Sequence, residues 1–329
     1  MSAPCPATTT PALSLVVPVF NEQDNVEPLA RRVHDALRDF SDPYELVFVD
    51  DGSSDETPAR VAKLADGDPR IRLVRLSRNF GHQAALLAGL EHARGGAAVS
   101  LDGDLQHPPE LLPALIARWR DGFHVVQAIR RVPVDDRAAK RVSSGWFYTL
   151  LSRVARIRVT PGAADFRLLS REALDAFLAC RERCRFNRGL VQWIGFDYCE
   201  VPYDAAARHS GRTKYSYAAM LRLAGDAIFS FSSWPLRLAG LAGAFLSVAA
   251  MGYLVWVLYA AIAGLAITGW TSLAATMLLL GGAQLIVLWI LGEYVGRLYE
   301  EVKQRPIYII RSGSAPARRE CVRNADGSG

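Results

Sequence analysis

Ala97-Ala98-Val99-Ser100-Leu101-Asp102-Gly103-Asp104-Leu105-Gln106-His107-Pro108-Pro109 is the stretch on which the reading of this chain turns. The apolar run 97–101 reads as a buried strand. Asp102, Asp104 and Gln106 follow it at a spacing of two, and Pro108-Pro109 opens a helix. On an extended segment alternate side chains point to the same side, so three oxygen donors are expected to converge just past the strand end. Such a set suits a hard cation. Mg²⁺ usually takes only one or two carboxylates, with phosphate oxygens completing its shell. Two bare carboxylates would repel a diphosphate, whereas with Mg²⁺ or Mn²⁺ between them they hold it.

Upstream, runs at 13–19, 45–50 and 71–76 read as strands, and 123–128 adds another downstream. Helices are expected between them. One opens at Asp24, with Val26, Leu29, Val33, Leu37 and Phe40 near helical period; others cover 54–65, 81–93 and 109–121. This alternation predicts an α/β fold with a mostly parallel sheet covered on both faces. Ligands then bind at the carboxyl ends of the strands. The polar clusters Asn21-Glu22, Asp50-Asp51 and Asp102 to Asp104 all fall at such ends. In Asp50-Asp51-Gly52-Ser53-Ser54-Asp55, Gly52 permits a tight turn and the acids can accept hydrogen bonds from a base or ribose. Ser53 or Ser54 is also a candidate helix N-cap. No Gly-x-Gly-x-x-Gly follows the first strand and no Walker-type loop occurs, which disfavours a dinucleotide cofactor and a P-loop ATPase.

After Arg130 the alternation stops. Segment 137–156 is basic and carries Trp146, Phe147 and Tyr148; segment 215–233 mixes apolar residues with Arg222. Each is either an interfacial helix on a membrane or an amphipathic helix against the catalytic domain. Residues 238–267 and 272–292 contain no charged residue. Each can cross a hydrocarbon core of about 30 Å as a helix of roughly 20 residues. The link 266–271 lacks Lys and Arg, while Arg237 precedes the first span and Arg297, Lys303 and Arg305 follow the second. That bias predicts both chain ends in the cytoplasm. The expected organisation is a disordered leader 1–12, a catalytic domain with interfacial helices 13–232, a two-helix region 233–300 with spans at about 235–264 and 272–296, and a cytoplasmic tail 301–329.

The net charge of the 329 residues is +5, and 50% are hydrophobic. Arginines beside anionic headgroups account for the basic balance. No nucleic-acid motif is present, so nucleic acid is not an expected partner. Five scattered cysteines form no disulfide or zinc pattern and suit a reducing cytoplasm.

Pro18-Val19-Phe20-Asn21-Glu22, Asp50 to Asp55 and Asp102 to Pro109 together resemble the signature blocks of family 2 glycosyltransferases with a GT-A fold. More narrowly, the chain is similar to the polyprenyl-phosphate glycosyltransferases, which include bactoprenol glucosyltransferases and dolichyl-phosphate mannose synthases. Asn79 to Gln83, Asp165-Phe166-Arg167-Leu168, Gly211 to Ser216 and Leu291 to Arg297 extend the likeness. It implies a Rossmann-like GT-A domain followed by juxtamembrane helices and a transmembrane hairpin. It also implies a UDP- or GDP-hexose donor, a polyprenyl-phosphate acceptor, an inner-membrane location and a homo-oligomer. Donor contacts are expected at Pro18, Glu22, Asp50, Asp51, Asp102 and Gly103, and the metal at Asp102, Asp104 and Gln106. Gly103 stands where many relatives have Ala, a difference expected to matter little, its side chain facing away from the metal. The resemblance places an acid, Asp165, near the reaction centre, with Arg167 and Asp104 as further catalytic candidates. Chemistry favours an orienting role for Asp165.

A phosphate monoester is already largely dianionic at neutral pH, its second pKa lying near 6. The reaction therefore needs cations for the acceptor more than a base. Arg130, Arg131, Arg212 and Lys214 are the candidates, with Arg167. One displacement would invert the anomeric centre. The first-choice donor is UDP-glucose, with GDP-mannose second. A processive polysaccharide synthase is disfavoured because Gln-x-x-Arg-Trp is missing. A non-catalytic membrane scaffold is disfavoured by the intact Asp102 and Asp104.

Overall fold

β-branched, apolar runs seal both faces of a sheet, and the first two strands do so along their whole length. β1 (Leu13–Val19) and β2 (Tyr44–Asp50) are buried at every position. The computed structural model describes residues 10–131, 163–183, 185, 187–204, 234–263 and 269–311. Next come α1 (Val26–Ala36), α2 (Thr57–Gly67), β3 (Ile71–Arg75), α3 (His82–His92) and β4 (Ala97–Ser100). A 3₁₀ turn, Pro109–Leu111, leads into α4 (Leu112–Arg120) and β5 (Val125–Arg130). Then follow β6 (Ala163–Ser170), α5 (Arg171–Ala179), α6 (Asn187–Trp193) and β7 (Tyr198–Tyr203). Two long helices, α7 (Trp234–Ile262) and α8 (Trp270–Val302), complete the described elements.

The described strands form a seven-stranded sheet in the order β3-β2-β1-β4-β6-β5-β7. All pairings are parallel except those of β6, which runs antiparallel to β4 and β5. One face is covered by Val26, Leu29 and Val33 of α1, Val61 of α2 and Leu112 and Leu115 of α4. The other is covered by Leu86, Leu87 and Leu90 of α3, Leu174 and Phe177 of α5, and Leu190 of α6. The expected mostly parallel α/β sheet is therefore present. The alternation does not end at Arg130: β6, α5, α6 and β7 extend the sheet beyond it.

Helix α2 starts at Thr57, and neither Ser53 nor Ser54 caps it. Both are engaged across the loop, where the Asn21 N–H donates to Ser53 Oγ at 2.9 Å and the Ser54 N–H donates to Asn21 Oδ1 at 2.9 Å. Asp55 Oδ1 instead accepts from the Thr57 N–H at 3.0 Å.

Helices α7 and α8 are long and apolar enough to cross a membrane. They lie against each other and leave their apolar side chains exposed, Phe245 at 74% and Ile262 at 88%. A soluble core would cover such surface. α8 runs past the expected end of the second span to Val302, and Glu293 pairs with Arg297 one turn on at 3.0 Å. The chain then returns to the sheet. The Ser77 N–H donates to the Ile309 carbonyl and the Arg311 N–H to the Arg75 carbonyl, both at 2.8 Å, and Leu76 bridges Ile310. Part of the expected cytoplasmic tail is thus docked on the catalytic domain. The segments 137–156 and 215–233 lie outside the described residues, apart from their neighbours in β5, β7 and α7.

Candidate active site

β1 leads to β2 on one side and has β4 on the other, so the sheet order reverses between β1 and β4. An open parallel sheet gapes at such a point, and ligands enter there. A cleft of about 500 Å³ opens there, lined by Pro18, Phe20, Glu22, Asp51, Asn79, His82, Gln83, Asp102, Gly103, Asp104, Asp165, Arg188 and others.

The loops after β1 and β2 hold each other. Besides the bonds between Asn21 and the serines, the Glu22 N–H donates to Thr57 Oγ1 at 2.9 Å. Asn21 takes φ +55° to do so, a conformation Asn tolerates better than most residues. Asp50 is fully buried and does not line the cleft. It accepts the Ser53 N–H at 3.0 Å and pairs with Arg75 Nε at 3.2 Å, which shapes the turn. Asp51 does line the cleft, and its two oxygens accept the N–H groups of Phe80 and Gly81 at 2.7 and 2.9 Å. Burial pushes its pKa up, and those two bonds oppose the rise. Gly52 has φ +72°, and a Cβ there would sit 2.4 Å from the Arg78 carbonyl carbon. Only glycine lets the β3–α3 loop approach this closely.

Asp102 to Gln106 departs from the expected extended segment. The chain turns at Gly103-Asp104, and Leu105 takes φ +61°. Asp102 and Asp104 still share the cleft. Gln106 does not line it: its backbone N–H donates to Asp104 Oδ1 at 3.0 Å and its side-chain amide to Oδ2. The alternation rule fails here because an Asp side chain that bonds the backbone two residues on closes a turn. The Asp102 N–H donates to His107 Nδ1 at 3.1 Å, and the His107 ring stacks on Phe166 at 5.1 Å. A Cβ on Gly103 would lie 2.8 Å from Val19 Cγ1 and 3.1 Å from the Pro18 carbonyl. The bare Cα is therefore consequential, contrary to the expectation that alanine would serve equally.

Asp165 and Arg167 share β6 with the same orientation. Arg167 is 4% exposed and donates to Asp165 Oδ1; it stands behind the acid rather than in the cleft. On the other oxygen, Gln83 Nε2 donates to Oδ2 at 3.0 Å, and Asn187 Nδ2 donates to Gln83 Oε1 at 2.6 Å. His82 Nε2 lies 3.7 Å from Asp165 and 3.4 Å from Asp102, so one imidazole bridges the two acids. Burial alone would raise the Asp165 pKa. The His82 imidazole, then Arg167 and Arg188, reverse this and hold it far below the usual carboxylate range. Asp102 shifts the other way: burial raises it against the pull of His107 and His82, with Asp165 and Asp104 adding to the rise.

Among the described residues no three His, Cys, Asp or Glu side chains form a closed metal cage. Asp102 and Asp104 nonetheless suit a divalent ion. They are two acids in one cleft, and their mutual repulsion would be relieved by a cation whose remaining ligands come from a phosphate. Arg130 and Arg131 are exposed at the end of β5, Arg131 facing Asp204 at 3.7 Å. Burial pushes the Tyr203 phenol pKa up, Arg130 opposes the rise, and Asp102 and Asp104 add to it. Arg212 and Lys214 lie outside the described residues.

His82 and Gln83 stand in the 79–83 block without a role legible from sequence, and nothing local in the chain marks Asn187 or Arg188 as site residues. Periodicity gives no cue for Asn187 and Arg188, which reach the cleft because α6 packs against β6.

Residues 14–178 match the family model "Glycosyl transferase family 2". An uncharacterised glycosyltransferase of Synechocystis is 39% identical over 299 residues, 91% of this chain and 94% of that relative. The SfII prophage-derived bactoprenol glucosyl transferase of Shigella flexneri is 39% identical over 304 residues, 91% and 97% of the two chains. Among solved structures, glucosyl-3-phosphoglycerate synthase from Mycobacterium tuberculosis is 21% identical with a TM-score of 0.46, over 67% of this chain and 79% of that one. The family match over half of the chain, and relatives of this identity along nearly all of it, place the acid-lined cleft in a known setting: the chain belongs to glycosyl transferase family 2.

Proposed function

We propose that this protein transfers a hexose, with glucose from UDP-glucose the first choice, to the phosphate of a membrane polyprenyl phosphate, with inversion at the anomeric carbon. One observation carries the reading: a cleft lined by Asp102 and Asp104 stands on a domain continuous with two exposed apolar helices. A soluble sugar nucleotide and a membrane lipid can meet only at such a boundary. Relatives of similar length that are named bactoprenol glucosyl transferases support the same acceptor.

Asp102 and Asp104 would hold Mg²⁺ or Mn²⁺, which when bound neutralises the charge building on the departing diphosphate. Pro18, Glu22 and Asp51 line the donor side of the cleft. Asp50 acts one layer back, by shaping the turn that presents Asp51. Gln106 steadies Asp104. The acceptor phosphate is its own nucleophile and needs no strong base. Asp165, held far below the usual carboxylate range, is a poor proton acceptor at neutral pH, since an efficient base has a pKa near the working pH. Its contacts suit it to orienting His82 and Gln83 around the sugar. Arg167 keeps Asp165 ionised. Arg130 and Arg131, with Arg212 and Lys214, would guide the lipid phosphate toward the cleft. Arg237 in the first turn of α7 and Arg297, Lys303 and Arg305 around the end of α8 support an inner-membrane protein with its catalytic domain and both termini in the cytoplasm, and the family resemblance supports an oligomer of identical chains.

The test offers membranes holding the full chain a panel of labelled UDP- and GDP-hexoses with Mg²⁺ or Mn²⁺ and then extracts the lipid. Label from UDP-glucose in a mild-acid-labile lipid is expected. It should fall at least about 100-fold for Asp104→Asn, the scale for losing one group that stabilises transition-state charge. Label from GDP-mannose alone would correct the sugar, and no labelled lipid from any donor would refute the reading.

A further inference from the structure

We infer that Arg188 receives the phosphate of the acceptor, a phosphomonoester, in the cleft that also holds the acid pair. The inference rests on the transfer reaction proposed above and names the residue that would make it possible.

Among the described residues two cations line the cleft, Arg185 and Arg188. Arg185 is committed to the fold. Its Nη2 donates to the Phe177 carbonyl at 3.1 Å, its Nη1 to the Cys180 carbonyl and its Nε to Asn187 Oδ1 at 3.3 Å, closing the end of α5. Its guanidinium also lies 4.8 Å over the Phe177 ring.

Arg188 differs. Its side chain is 33% exposed, and its one ion pair among the described residues is with Asp165 Oδ2 at 3.7 Å. That distance orients a guanidinium but is too long for a hydrogen bond. Asp165 is already occupied by Arg167 on Oδ1 and by Gln83 on Oδ2. Two guanidiniums stand beside Asp165, and the His82 imidazole links that acid to Asp102. The cleft therefore carries Asp102 and Asp104 together with an arginine fork that keeps free donors, and it suits two phosphates. The diphosphate goes to Asp102 and Asp104, which would hold its metal, and the nucleophile goes to Arg188. Guanidinium matches phosphate geometry bidentately. Holding the acceptor there also offsets its repulsion from the diphosphate, the main obstacle to bringing two anions together. Arg130 and Arg131 stand outside the cleft lining and suit an approach path rather than the final position.

The experiment uses the full chain in detergent with UDP-glucose, Mn²⁺ and undecaprenyl phosphate at varied concentration. For Arg188→Ala the acceptor KM is expected to rise at least about tenfold, as for loss of a charge-assisted contact of about 1.4 kcal/mol, while the donor KM and UDP affinity stay within about twofold. Arg188→Lys keeps a point charge but loses the fork, so an acceptor KM roughly threefold above wild type is expected. That variant carries the comparison alone if Arg188→Ala does not fold. An acceptor KM unchanged in the folded variants, or a rise in donor KM instead, overturns the assignment while leaving the transfer reaction standing. A wild-type protein that labels no lipid overturns both.

Discussion

Asp165 illustrates how one residue couples stability to chemistry. Its carboxylate is a buried counter-charge of Arg167, so Asp165→Asn removes an ion-pair partner of a buried guanidinium. The expected cost is about 3 to 5 kcal/mol, the usual result of removing one partner of a buried pair. Thermal unfolding in detergent would read this as a clear fall in Tm. Adding Arg167→Met should return most of the stability without returning activity, which separates the fold's need for the pair from the reaction's need for the acid. The sign with pH follows from the depressed folded pKa. Asp165 contributes its stabilisation above the ordinary carboxylate range near 4 and loses it as pH falls through its folded value. An acid titration of Tm should therefore be shallower in the double variant than in wild type. Gly103 makes a smaller statement. Gly103→Ala places a methyl against the β-branched Val19 and should cost about 1 to 3 kcal/mol, the range for overpacking, unless Val19 is shortened to Ala in the same chain.

Loop and strand ends decide the site at the scale of elements. The β3–α3 loop is held to the end of β2 by Asp51 through two backbone N–H groups, and it delivers His82 and Gln83 to Asp165. Gly52→Ala would force a left-handed residue against the Arg78 backbone and push that loop away. The expected result is a donor KM raised at least about tenfold with the far end of the sheet unaffected, because lost positioning appears in binding. A circular dichroism spectrum close to wild type, together with that KM, would check it. The strands legible in sequence were those with continuous apolar runs. β6 was not, because its alternation is broken by Asp165 and Arg167, two charged residues facing inward. A functional strand carries the residues that disguise it as a loop. For a related reason Gln106 read as a metal ligand: spacing suggests convergence only if the backbone is extended, and Asp104 bends it.

Over the whole molecule, the segment after α8 ties the two apolar helices to the catalytic domain. Ile307, Tyr308 and Ile310 cover the face formed by Leu76, Leu86, Leu87 and Leu90, and Tyr308 donates to Glu91. Arg183 adds a second tie, its Nη1 donating to the Glu300 carbonyl at 2.8 Å. The loop that carries His82 begins at the strand edge this segment covers. Ending the chain at Lys303 should uncover that apolar face at a cost of about 2 to 4 kcal/mol, at roughly 25 cal/mol per Å² of apolar surface. It should also raise protease sensitivity in the 76–81 loop, seen by mass mapping of limited digests. Ending it at Arg311 should leave both unchanged.

The sequence by itself determined the alternating α/β order, the acids at the strand ends and the two apolar helices. Each of these is written in local hydrophobic period and in residue type, which a chain carries wherever it folds. Only the tertiary structure decided that Arg167 stands behind Asp165, that His82 bridges two acids, that Arg188 faces the cleft and that the tail returns to β3. These depend on which distant segments the sheet order brings together, and a side chain's charge carries no record of the neighbour that will share it.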